Sequence, residues 1–219
     1  MHARHFVRLL QHEFALEWKN RQTLTSLVVY SLSTIFITYL SYRHRLDLST
    51  WNALFWIITL FAATNAVARS FLQESRGLQF FYYTLLPPAT VILAKTCYNI
   101  LLLFLLSLLN FAVFLLFFEL PSFHLLQFIA GLFLGCFGLS TVLTLVSGIV
   151  AKAQGGAALV AILAFPLLFP LLSSVLEFSG NALQGMEWSA NESPFVLLIA
   201  LNSILVALSY LLFPYLWRE

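Results

Sequence analysis

Charge is what this chain has least of. Eleven Lys and Arg and nine Asp and Glu make up 9% of 219 residues, against 61% hydrophobic and a mean hydropathy of +0.91. A soluble domain carries roughly 25% charged residues, so this inventory could not cover an aqueous surface. Lipid is the only solvent that suits it. Backbone groups in a bilayer are satisfied within a helix or by a closed barrel, and long apolar runs without dyad alternation exclude the barrel. The expected fold is all-α and polytopic.

Catalytic signatures are missing too. No G-x-x-x-x-G-K-[ST] phosphate loop surrounds Lys95 or Lys152, so ATP chemistry of that kind has to come through a partner subunit. H-E-x-x-H, C-x-x-C, G-x-S-x-G and G-x-G-x-x-G are absent, and His2, His5, His12, His44 and His124 are scattered. No enzyme, metal site or resident cofactor is expected. His44 and His124 fall at a predicted membrane edge, where an imidazole could ligate a haem iron, but a solvated helix-end residue is the plainer reading and neither counts as a site. Cys97 and Cys136 lie inside apolar runs, where a thiol acts as a small hydrophobe, and no disulfide is expected. The net charge of +2 carries no message about nucleic acid. Residues 1–23 lack a signal peptide's apolar core and cleavage site, so the first span is expected to act as the insertion signal.

What the chain does have is six apolar runs, at about Leu24–Tyr42, Trp51–Phe71, Thr90–Phe118, Phe123–Val150, Ala157–Leu176 and Phe195–Leu216, in a single transmembrane unit over residues 1–219. Arg4, Arg8, Lys19, Arg21, Arg69, Arg76, Lys95, Lys152 and Arg218 fall on one side of them, and Arg43 and Arg45 on the other. The positive-inside rule then places both termini in the cytoplasm. No run holds Asp, Glu or Arg away from its ends, which argues against an ion path. Asn65, Asn110 and Asn202 are expected to bridge helices.

Within residues 1–23, Phe6, Leu10, Phe14 and Trp18 recur every four positions, the pattern of a helix lying in the interface. The connection from Arg69 to Pro88 mixes Glu74, Arg76 and Gly77 with apolar residues and stops at Pro87-Pro88, which suits a short surface element. Gly131 and Gly135, followed by Ser140, Thr144 and Gly148, form a small-residue seam that fits either packing within the chain or contact between two copies. Pro166 and Pro170 are expected to bend the fifth run. Glu177 to Pro194 is expected to be the longest outer connection, with Trp188 as an interfacial anchor and Pro194 opening the last span.

These features together resemble one family. Six spans, an interfacial N-terminal helix, Leu85-Leu86-Pro87 followed by Leu93-Ala94-Lys95, and Lys152-x-x-Gly155-Gly156 leading to Pro166-x-x-x-Pro170 look like the CcmB family, the haem exporter B subunit of cytochrome c maturation. The resemblance covers nearly the whole chain. It implies an ABC-type permease of the bacterial inner membrane that pairs with a separate ATPase, with haem-handling membrane subunits and with a periplasmic haem chaperone. ATP hydrolysis would drive either haem movement, with haem as cargo, or release of the haem-loaded chaperone, and a permease dimer is the expected assembly. By analogy with ABC permeases, Glu74, Arg76 and Gly77 would receive the ATPase movement, although Phe80-Phe81-Tyr82-Tyr83 departs from the family's pattern. An export permease for lipid, polysaccharide or drug, and a membrane scaffold, are the alternatives.

Overall fold

The computed structural model describes residues 9–10, 21–42, 46–67, 71, 88–119 and 123–218. Among these there are no strands. Six helices are long and apolar enough to cross a membrane: α1 (Arg21–Tyr42), α2 (Leu48–Val67), α3 (Pro88–Phe117), α4 (Leu125–Lys152), α5 (Ala157–Leu183) and α6 (Trp188–Arg218).

Local chemistry sets their ends. Asp47 caps α2, its carboxylate accepting from the Thr50 hydroxyl at 2.6 Å and the Thr50 amide at 3.0 Å. The hydroxyl first, and the amide second, hold that carboxyl below its ordinary value. The α3 helix opens on Pro88, whose missing N–H has no helical acceptor to lose in a first turn. The α5 helix closes in a Schellman turn: Gly185 takes φ 69°, its amide reaches Ala182 O at 3.2 Å, and Met186 N reaches Asn181 O at 3.0 Å. The same turn ends α4, with Gly155 N on Val150 O at 2.9 Å, but there Gln154 occupies the left-handed position at φ 54°.

That turn after α5 corrects the expected outer connection. The chain between α5 and α6 is only Gln184–Glu187, and Glu177 and Pro194 both lie inside helices. Hydropathy finds the part of a helix that lipid can hold. At 27 residues α5 is about 40 Å long, beyond a hydrocarbon core of about 30 Å, so its last polar turns run on outside it. Pro194 does not open α6. It denies Ala190 its helical donor, and the Asn181 side chain supplies one instead at 3.3 Å.

The centre of the bundle is α4. Of its membrane window 72% is buried, against 22–50% for the others, and α2, α3, α5 and α6 all pack on it. Its glycines allow this approach. A Cβ on Gly131 would lie 2.5 Å from the Phe178 ring, and one on Gly135 would lie 2.5 Å from Trp56 Cη2 and 3.2 Å from Val175. Helices in lipid associate by such contacts because leucine gains nothing over an acyl chain. By contrast α1 packs on α2 and α3, burying Ile35 and Leu27 while most of its surface stays exposed.

Two measurements test this packing. Gly135→Ala forces a methyl against a rigid indole and should lower stability by about 1–3 kcal/mol in thermal unfolding of the detergent-solubilised chain. Gln154→Gly relieves the left-handed backbone and should raise stability by about 1 kcal/mol in the same assay.

Candidate functional site

Polar side chains gather at the two ends of the bundle. Lys95 and Lys152 belong to one end, which we call basic, and Asp47, Glu119, Glu177, Glu187 and Glu192 to the other, the acidic end.

At the acidic end neutral groups tie four helices together. Trp56 Nε1 on α2 donates to Ser179 Oγ on α5 at 2.9 Å. Ser179 Oγ lies 2.6 Å from Val175 O and 2.8 Å from Asn52 Oδ1, each an acceptor for its single proton, while Asn52 Nδ2 donates to Leu176 O at 2.8 Å. Gly180 leaves room for the Asn52 amide, since a Cβ there would meet Nδ2 at 3.3 Å. Asn181 Nδ2 on α5 reaches Asn191 Oδ1 on α6 at 3.1 Å, and Asn191 Nδ2 reaches Gln127 Oε1 on α4 at 3.0 Å. At the same level Trp51, Phe55, Phe111, Phe114 and Phe128 pack ring on ring at 4.6–6.3 Å.

The basic end is built around a charge. Lys95 is the eighth residue of α3, about 10 Å along it, and is only 2% exposed. Helical side chains lean toward the N-terminus, so this one leans toward the basic end. There its Nζ lies 5.0 Å from the centroid of the Phe71 ring. Phe71 follows α2 in the connection to α3, and it is held from two further sides. Its ring meets Phe213 of α6 at 5.5 Å, and its amide donates to Ser147 Oγ of α4 at 3.4 Å. Gly148 makes the space, for a Cβ there would stand 2.8 Å from Phe213 and 3.6 Å from Phe71. One turn further in, Asn99 Nδ2 donates to Thr144 Oγ1 at 2.8 Å, and two turns beyond that Cys136 Sγ and Ser107 Oγ are 3.3 Å apart. The α3–α4 interface is thus a polar seam that starts at Lys95.

Several sequence expectations can now be placed. Gly131, Gly135, Ser140, Thr144 and Gly148 are all buried inside the chain, Gly135 against α2 and α5, Gly131 against α5, Gly148 against α6, and Thr144 against α3. Pro166 and Pro170 both lie inside the continuous α5 helix and face outward. Of the three asparagines, Asn202 does bridge, donating to Leu134 O of α4 at 3.1 Å. Asn65 does not, because it is exposed and bonds Phe61 O of its own helix. Asn110 is buried, and neither side-chain atom has a hydrogen-bond partner among the described residues. Cys136 is a buried core residue as expected, whereas Cys97 is exposed on the outer face of α3. The expected interfacial helix at residues 1–23 falls almost wholly outside the described residues, apart from Leu9 and Leu10 and the start of α1. His44, Glu74, Arg76 and Gly77 lie outside them.

Lys95 was read from sequence as one more topological charge, and its burial was missed. The signal was its position, a lone cation seven residues inside a run that begins at Pro88.

Six apolar helices in a bundle centred on α4 define a polytopic membrane protein. A search of curated proteins finds no match. The model of the CcmB protein family matches residues 4–215, nearly the whole chain, and the chain belongs to that family. Its members are membrane permease subunits of an ABC-type system for haem export and cytochrome c biogenesis, which works with an ATPase and other Ccm subunits.

The brace can be tested directly. Ser179→Ala leaves Trp56 Nε1 and Asn52 Oδ1 without their shared partner and should cost about 1–2 kcal/mol in thermal unfolding. Replacing the exposed Ser203 in the same way should cost far less.

Proposed function

We propose that this chain is the single-domain permease subunit through which a separate ATPase drives the release of a haem-loaded periplasmic chaperone. In this reading the basic end faces the cytoplasm of a bacterial inner membrane, both termini included, and two copies of the permease meet two ATPase subunits. The ATPase grips the connection between α2 and α3, with Glu74, Arg76 and Gly77 as its contacts. Closure there moves the basic ends of the helices, and the braced acidic end carries the rearrangement to the periplasmic partners as a unit.

The observation that carries this reading is Phe71. The first described residue of the connection is locked to α3, α4 and α6 at once, so force applied to the connection has a mechanical route into the bundle. Release is favoured over passage through one chain because the axis is filled: Leu132, Cys136, Leu139 and Leu143 of α4 have no accessible surface. Small rigid-body shifts of packed helices are the motion such an interior allows.

Cysteine accessibility at residue 76, in sealed inverted membranes against right-side-out ones, tests the orientation. Labelling only from the cytoplasmic side is the expected result, and labelling from the periplasm overturns the proposal. Affinity purification of the chain from its own membranes should also bring down an ATPase, and the chain alone should show no hydrolysis.

A further inference from the structure

Resting on the reading just given, we propose that Lys95 is the positioning residue of the coupling joint. Its charge, held against the Phe71 ring, keeps the start of the α2–α3 connection in register with the ends of α3, α4 and α6.

The choice of residue is the first argument. Burying an ammonium in a membrane protein costs at least roughly 2.5 kcal/mol even on the lenient insertion scale. If only volume were wanted here, leucine or methionine would fill it with no such cost. Val91, Ile92, Ala94 and Phe213 form one buried cluster with Phe71, the ring that the ammonium faces. A cation adds an attraction that depends on its distance from one ring and on that ring's electrons. Desolvation strengthens the attraction, so it is worth most where Lys95 sits.

Register is the second argument. Asn99 on α3 and Thr144 on α4 are hydrogen-bonded at 2.8 Å, and one turn toward the basic end brings Lys95 opposite Gly148. Gly148 is where α4 makes room for Phe213 and Phe71. The ammonium, the glycine and the two rings therefore form one layer across three helices and the connection. A shift of Phe71 along the layer breaks the cation–ring distance, the Ser147 hydrogen bond and the Phe213 contact together. Only a shift that carries Lys95, Ser147 and Phe213 along preserves all three. The joint thus converts a pull on the connection into a common movement of helix ends.

The test uses the full chain in its assembled complex with the ATPase, reading ATP hydrolysis and cytochrome c maturation together. Lys95→Met keeps the stem and removes the charge, and Phe71→Leu keeps an apolar side chain and removes the ring. Each should leave complex formation and hydrolysis within about twofold while maturation per ATP falls about tenfold, the scale of a desolvated cation–π contact. Phe71→Trp and Lys95→Arg keep a ring and a charge and should retain coupling. Unchanged maturation per ATP in Phe71→Leu overturns the proposal, as does Phe71→Trp failing like Phe71→Leu. A loss of complex in proportion to activity overturns it too, for that is what filler would do. Should Lys95→Met not accumulate, Phe71→Leu and Phe71→Trp decide by themselves. Failure of the parent chain to recruit any ATPase would instead defeat the function proposed above, independently of this joint.

Discussion

The structure depends on how closely other helices can approach α4. In water, burying apolar surface would hold the bundle together, but a leucine surrounded by acyl chains gains nothing by meeting another leucine. What remains is close van der Waals contact and a few hydrogen bonds. The α4 helix supplies the first with glycines on two faces, Gly131, Gly135 and Gly138 taking Phe178, Trp56 and Leu171 on one and Gly148 taking Phe213 on the other. A helix with one small-residue stripe makes a pair, and one with small residues on two faces makes a hub.

The hydrogen bonds are divided by chemistry. At the acidic end they join neutral amides, a hydroxyl and an indole, with little that responds to a partner's charge or to pH. At the basic end a cation, a ring and a weak amide-to-hydroxyl bond at 3.4 Å meet where the chain leaves α2 for α3. One end is therefore a clamp and the other a joint, a division of labour that suits a bundle pushed from one side.

Much of this was legible beforehand, for reasons that can be named. The six spans follow from composition and from the length a bilayer demands. The small residues of α4 are visible as spacing, and the family likeness is written in Lys152-x-x-Gly155-Gly156 and the paired prolines. The α5–α6 turn was hidden because hydropathy stops at Leu176, while the helix goes on as long as Ser179 and Asn181 find partners on α2 and α6. Those partners are far away in sequence. Lys95 was hidden for the opposite reason: a cation near a helix end looks like any other topological charge until the ring that covers it is placed. Asn65 and Asn110 show the limit of residue type as a guide, since the same amide turns to its own helix in one case and is sealed in the bundle in the other.

The brace also has a history within each molecule. Asn52 and Trp56 find their partners 123–127 residues later in the chain, so both helices' worth of synthesis separates donor from acceptor. At bacterial and eukaryotic elongation rates of about 5–20 residues per second, α2 waits roughly 6–25 s with an indole and an amide unmatched. During that interval α2 must lean on α1, on lipid headgroups or on whatever escorts nascent spans. Translation pauses between α2 and α5 would lengthen the exposure.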